Sequence, residues 1–328
     1  MVVINGSNLA DVISPLSPLP YRSSAFADLI NGNAGNDVID GGDGNDVING
    51  GDGDDQIFGG AGDDVLVGGA GKDTIYGGLG NDTITSDGDG GSYYGEAGND
   101  TMRSGLGNEL MDGGVGVDTI DHRAFNGNYD YNMATGVTNY TLPIGERFLN
   151  FENALMGNGD DSVIGTSGAN TIDGGGGNDR LSGGLGVDTL TGGAGMDSFR
   201  IGEWDLANRD LITDFSTVDD SIVLLDGLDA GLPAATPPLA GGLTGLVFNG
   251  GAAPGNTLNS AWFFKAAGVV APFNGMAAGS LSGIYVDTAS GDCWYNPTSA
   301  TGGDSRLLGR VSIAAATAMT NADFVYGI

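Results

Sequence analysis

The chain of 328 residues has one cysteine, Cys293, and one histidine, His122. A single thiol excludes an intrachain disulfide, so any stapling of a small core must come from elsewhere. A single imidazole excludes a three-histidine zinc site, and no H-E-x-x-H or G-x-S-x-G stretch occurs. Positive charge is scarce too: 11 basic residues stand against 42 acids, a formal net charge of −31. That field repels phosphates and anionic lipid, which excludes a nucleic-acid-binding surface. No run approaches the ~20 apolar residues of a membrane span, so no membrane insertion is expected. Residues 1–24 carry neither the basic start nor the apolar stretch of a secretory signal, which leaves the cytosol or export by another route.

What the chain has in excess is glycine, 63 residues of it, and aspartate, and both recur with a period of nine. Each unit reads as two glycines, any residue, glycine, a small or polar residue, aspartate, any residue, a large apolar residue, any residue. In residues 23–121 the sixth position is held by Asp28, Asp37, Asp46, Asp55, Asp64, Asp73, Asp82, Gly91, Asp100, Glu109 and Asp118. In residues 156–200 it is held by Asp161, Asn170, Asp179, Asp188 and Asp197. Residues 122–155 read as a non-repeat β insert, and 201–328 as a β-rich C-terminal domain with "DLITDF", "DSIVLL" and "LSGIYVD" as strands. Residues 1–22 form an N-terminal arm or linker. Within it, "INGSNLADVIS" resembles a degenerate unit with Asp11 and Ile13 in place, cut off by a proline-rich stretch.

The chemistry of one unit follows from its residues. Glycines permit positive φ and a tight turn, and the three residues after the aspartate are extended. The eighth-position aliphatic points inward, so two units make one coil with a thin core, and coils stack about 4.8 Å apart. An all-β parallel roll in two blocks is therefore expected. Its core is too slender to offset chain entropy and charge repulsion alone. A hard divalent cation supplies the missing energy, since Ca2+ takes six to eight oxygens. The expected ligands are the carboxylates of Asp37, Asp46, Asp55, Asp64, Asp73, Asp82, Asp100, Asp118, Asp161, Asp179, Asp188 and Asp197. Turn carbonyls, at Gly42, Gly44, Gly51, Gly53, Gly60, Gly62, Gly175 and Gly177, complete the set. Units two apart share an edge, so one ladder is unbroken from Asp28 to Asp118. The other is interrupted at Gly91 and Glu109, and in the second block at Asn170. Asp43, Asp52, Asp54 and Asp63 read as solvated acids, or acids just outside the ions.

"GGDGNDVIN" and "GGGGNDRLS" match the nonapeptide of RTX calcium-binding proteins, and the chain resembles that family over residues 23–328. "GGAGMDSFRIG…RDLITDFSTVDDSIVLLDGLDA" looks like the segment that closes the roll in serralysin-type proteases. "GIYVDTASGDCWYN…LLGRVSIAAATAMTNADFVYGI" resembles the end of RTX proteins exported by type I secretion. The resemblance implies an uncleaved C-terminal export signal, the type I machinery as a partner, and folding outside the cell. With no protease, hydrolase or pore-forming part recognisable, three classes stay open. The first is a non-enzymatic structural protein that self-assembles, as homo-oligomer or polymer, into a surface layer, fibre or matrix. The second is an adhesin that engages cell-surface polysaccharide through the insert or the C-terminal domain, and the third a polysaccharide-modifying enzyme. His122 reads as a cap or linker residue rather than a base. Cys293 reads as a buried or semi-exposed thiol, and Trp262, Phe263 and Phe264 as packing or assembly contacts.

Overall fold

The computed structural model describes residues 3–14, 25–105, 107–138, 146–201, 210–224, 263–266, 283–290, 292–296 and 306–326. The proline-rich stretch 15–20, Trp262 and the side chains of Phe263 and Phe264 lie outside these. The chain divides into two compact units, Met1–Phe125 with Tyr129–Leu155, and Asn126–Asn128 with Met156–Ile328.

In the first unit the nonapeptides build a parallel β-roll. Strand Leu29–Ala34 pairs with Val47–Asp52, which pairs with Val65–Ala70, each partner 18 residues on. On the opposite wall Val38–Asp43, Gln56–Ala61, Thr74–Leu79 and Ser92–Ala97 stack in the same register. A shift of 18 is two repeat units, so one coil is two nonapeptides and each wall takes every second one. The eighth-position side chains form two facing columns: Ile30, Ile48, Leu66, Ile84, Met102 and Ile120 on one wall, Ile39, Ile57, Ile75, Tyr93 and Met111 on the other. All eleven are fully buried. The pattern is β because alternate residues face opposite ways, and a helix would scatter this spacing around its circumference.

The N-terminal arm is part of the roll. Val3–Asn5 pairs with Leu29–Asn31, Val12–Ile13 pairs with Val38–Ile39, and Ile4 and Ile13 join the buried columns. Residues 122–155 contain a hairpin, Asp130–Asn132 with Val137–Thr138, and end by re-entering the coil. Arg147–Leu149 pairs parallel with Leu110–Asp112, and Asn153–Leu155 with Thr119–Asp121. The partners Ile120 and Ala154 are 34 residues apart rather than 18, because the intervening chain inserts the hairpin, whose Val137–Thr138 strand pairs antiparallel with Arg147–Leu149 in the same wall. Phe148 and Ala154 extend the two columns, and Phe151, Tyr129 and Tyr131 thicken the core beside them.

The second unit repeats the plan. Ser162–Ile164, Arg180–Ser182, Ser198–Ile201 and Ser221–Leu224 stack on one wall, Thr171–Asp173, Thr189–Thr191 and Asp210–Ile212 on the other. Beyond Ile201 the glycine repeat ends but the walls continue, joined by Phe324–Tyr326 on one and Arg306–Arg310 on the other. An antiparallel ribbon, Gly283–Asp287, Asp292–Asn296 and Arg306–Arg310, encloses Cys293, which is 1% exposed, and Arg310 pairs with Asp292 at 2.6 Å. The candidate strands in "DLITDF", "DSIVLL" and "LSGIYVD" all form. Among the described residues the only α-helix is Ile313–Ala318, started by Ser312, whose Oγ accepts the Ala315 N–H at 3.1 Å.

The thin column sets the mechanical expectation. In calcium-saturated protein, Leu66→Ala is expected to cost about 2–5 kcal/mol of unfolding free energy, whereas Val117→Ala, at a half-exposed position, should stay within about 0.5 kcal/mol, both read from chemical denaturation.

Candidate metal centre

Most turns of the roll carry the same side-chain bond. The backbone N–H of one sixth-position aspartate donates to Oδ1 of the aspartate one coil later. Asp28 donates to Asp46, Asp46 to Asp64, Asp64 to Asp82, Asp82 to Asp100 and Asp100 to Asp118, all at 2.7–2.8 Å. On the opposite edge Asp11 donates to Asp37, Asp37 to Asp55 and Asp55 to Asp73, at 2.7–2.9 Å. In the second unit Asp161, Asp179 and Asp197 form one series, and Asn170 donates to Asp188 on the other edge. These bonds hold each carboxylate inward, and every ladder aspartate from Asp28 to Asp197 is no more than 2% exposed.

The second oxygen is left over. Oδ2 is buried without a hydrogen-bond partner in Asp37, Asp46, Asp55, Asp64, Asp73, Asp82, Asp100, Asp118, Asp179, Asp188 and Asp197. A buried carboxylate oxygen without a donor costs desolvation free energy that nothing in the chain repays. Burial accordingly pushes Asp64 and Asp179 up to about 7, and Asp46, Asp55, Asp73, Asp82, Asp100 and Asp118 up to about 6. The backbone N–H bond to the neighbouring coil pulls each one down, and for most of them the charges of adjacent ladder aspartates add a smaller upward push. Asp37, Asp188 and Asp197 are raised by the same burial.

The turn glycines make room for that oxygen. At Gly41 a Cβ would sit 2.5 Å from Asp46 Oδ2 and 2.6 Å from the carbonyl oxygen of Gly59, so a side chain there collides with the ladder. The next glycine, Gly42, turns the chain at φ 95°, and Gly44 at φ 122°; Gly51, Gly53, Gly60, Gly62, Gly175 and Gly177 also take positive φ. Among the described residues no three His, Cys, Asp or Glu side chains converge on one point. A cation here must combine ladder carboxylate oxygens with main-chain carbonyls, an all-oxygen set that suits a hard ion and not zinc or copper. The residues present fit calcium.

The edges differ where the sequence indicates. At Gly91 the ladder stops: a Cβ would lie 2.6 Å from Asp73 O and 2.7 Å from the Tyr93 hydroxyl, so the Tyr93 side chain stands where the carboxylate would begin. Glu109 turns away from the ladder role. Ser86 Oγ donates to its Oε1 and the Gly105 N–H donates to its Oε2 at 3.2 Å, and burial raises it to about 7. Asn170 retains the backbone bond to Asp188, while its Oδ1 accepts from the Thr166 N–H at 2.8 Å.

The structure also adds members that the nonapeptide count does not contain. Asp118 donates to Glu152, Asp188 to Asp210 and Asp197 to Asp220, so the ladders run on into segments without the glycine pattern. Glu146 occupies the matching place ahead of Phe148 and accepts from the Tyr129 hydroxyl. The surviving signal is an acid two residues before a large apolar residue, as in "ERF", "RDLI" and "DDSI". Asp54 and Asp63 are exposed, as expected, but ordered. Asp63 belongs to an outer ladder in which its N–H donates to Asn45, Asn81 N–H to Asp63, Asn99 N–H to Asn81 and Val117 N–H to Asn99, at 2.8–3.1 Å. Asp54 belongs to the matching row on the other edge, its N–H donating to Asn36 at 3.1 Å and its Oδ1 accepting from the Lys72 N–H at 2.8 Å. His122 is buried among Phe125, Tyr129 and Phe148 with Nδ1 2.8 Å from Ser104 Oγ, and burial lowers its pKa to about 3. It packs the core and stays neutral at physiological pH.

The raised carboxylates give a pH signature. With chelator present, the folded roll binds protons more tightly than the unfolded chain, whose carboxylates titrate near 3.8. Metal-free stability is therefore highest below about pH 4 and is lost as pH rises through about 6–7, so circular dichroism in EDTA should show more β structure at pH 5 than at pH 8. With calcium the dependence inverts, affinity falling as pH drops through the same window. Asp64→Asn should stabilise the metal-free roll and reduce its stabilisation by calcium, whereas Asp63→Asn should leave both unchanged within about 0.5 kcal/mol.

Compared with known protein families, the chain matches the RTX calcium-binding nonapeptide repeat over residues 23–57, 49–84, 58–93, 87–120 and 157–190. A comparison with curated proteins finds no match. The matched stretches coincide with the coils whose aspartates carry the unpaired Oδ2 atoms, apart from Asp197 just beyond the last of them, and these stretches are RTX calcium-binding nonapeptide repeats.

Proposed function

We propose that this is a secreted, non-enzymatic calcium-binding protein that folds on export and assembles into a layer, fibre or matrix at the cell surface. The observation that carries the reading is the row of buried, unpaired carboxylate oxygens. Where calcium is scarce, the carboxylates of each edge repel one another and the repeats stay open. An open repeat region is one that the type I machinery can thread. Bound calcium supplies the positive charge and the ligand field that those oxygens lack. Because the unfolded chain offers no preformed site, calcium at the roughly 10⁻⁴–10⁻³ M suited to extracellular modules favours the rolled state by mass action. RTX repeats are typical of secreted proteins, and among the described residues no helix is long and apolar enough to cross a membrane.

Assembly is supported by the start of the first unit. Val3–Asn5 and Val12–Ile13 are the terminal strands of their walls, and Val3, Leu9 and Val12 are 58–74% exposed. A sheet that ends on an uncovered strand invites a further strand, and head-to-tail contacts of this kind build open arrays. The strands of the arm pair within their own chain, so the contact would form on that exposed edge rather than by donation of a free arm. Electron microscopy of the purified protein should show ordered arrays with millimolar calcium and dispersed particles in chelator. Dispersed particles in both conditions, with β structure formed in calcium, would count against assembly while leaving the calcium switch intact.

A further inference from the structure

One outward row of the first unit is unlike the rest. Register places Asp40, Phe58, Tyr76, Tyr94 and Asp112 side by side across five adjacent strands of one wall. The three rings stack face to face, 5.1 and 5.0 Å between centroids and within 6° and 11° of parallel. They form a half-exposed aromatic strip bracketed by a carboxylate at each end. Beside it lies a cavity of about 300 Å3 lined by Phe58, Tyr76, Leu79, Glu96, Ala97 and three glycines. Leu79 is 64% exposed there.

Glu96 is the unusual member. It occupies the second position of its unit, where Gly42, Gly60, Gly78 and Gly114 adopt φ of 95–113°, and it keeps a left-handed φ of 71° despite its Cβ. Glycine would hold this turn without strain, and the carboxylate forms no hydrogen bond or ion pair within the described structure. A strained, exposed acid at the rim of an apolar cavity is better explained by something bound outside the chain than by the turn itself.

We propose that this cavity docks a lysine side chain presented by a partner peptide. Stacking occupies the ring faces, so the strip offers edges to the cavity. Ring edges carry the positive side of the quadrupole, which disfavours an ammonium on the rings. The two faces left free, the outer ones of Phe58 and Tyr94, turn along the row towards Asp40 and Asp112, away from Tyr76, which leaves none over the cavity for a guanidinium to stack upon. A lysine satisfies both constraints. Its four methylenes lie along Phe58, Tyr76 and Leu79, and its compact ammonium reaches past the rings to Glu96. The net charge of −31 steers such a partner towards the roll.

The test uses the whole chain in saturating calcium and ordinary salt, with a capped tripeptide carrying one lysine between two leucines. Binding should shift the ring resonances of Tyr76 and Tyr94. Glu96→Gln should weaken it about tenfold, and Tyr76→Ala at least as much. Acetylating the lysine should weaken binding to the unaltered protein by about as much as Glu96→Gln does. Glu96→Gly should abolish binding without lowering the thermal midpoint, which separates docking from a structural role. Equal binding of the acetylated peptide, an undiminished Glu96→Gln variant, or tighter binding of the arginine analogue would overturn the proposal. So would a Glu96→Gln variant that loses calcium affinity but keeps the peptide.

Discussion

A carboxylate with one oxygen hydrogen-bonded to the neighbouring coil and the other buried without a donor is the constraint around which this protein is arranged. The bonded oxygen fixes the register, since each Oδ1 accepts from the aspartate exactly one coil before it, 18 residues away in the repeat blocks. The unbonded oxygen makes the same arrangement costly, because it places a row of desolvated acids along each edge. A cation bound at the second oxygen would couple folding and metal binding through one side chain. A neutral substitute would keep the register and lose the dependence on calcium.

Everything else in the repeat serves that carboxylate. The first glycine of a unit yields its Cβ space to Oδ2, as at Gly41, and the second and fourth permit the turn that brings the aspartate inward. The outer ladder of Asn45, Asp63, Asn81 and Asn99 ties successive turns together on the solvent side. Where the pattern fails, protein groups take over. Ser86 and Gly105 satisfy Glu109, Tyr129 satisfies Glu146, and the core beside them widens from single aliphatics to Tyr93, Tyr129, Tyr131, Phe148 and Phe151. Stretches with a broader apolar core therefore lie within the same chain as stretches whose ladder oxygens are buried and unpaired.

Much of this was legible in the residues, because a two-unit coil follows from period nine and strand alternation. The buried columns, the stop at Gly91 and the inequality of the two edges could be read from the spacing of Asp37, Asp55, Asp73 and Gly91 alone. Glu146 and Glu152 escaped because they are six residues apart and follow an inserted hairpin, and a fixed period cannot register an insertion. Asp210 and Asp220 escaped because their turns are not glycine-rich, although the acid still precedes an inward apolar residue. The outer ladder was invisible because Asn and Asp at the fifth position look like ordinary solvated residues. Only the coil geometry shows that each meets the N–H one turn later.

The central claim concerns where charge is needed, so the most direct measurement is the anomalous diffraction of calcium in crystals grown with the ion. The account predicts ions beside the unpaired Oδ2 atoms, running unbroken along the edge from Asp46 to Asp118 and along the other only as far as Asp73, with none at Glu109 or Glu146. Ions of equal occupancy on both edges as far as Glu109, or an empty Asp46–Asp118 edge in a fully formed roll, would contradict it.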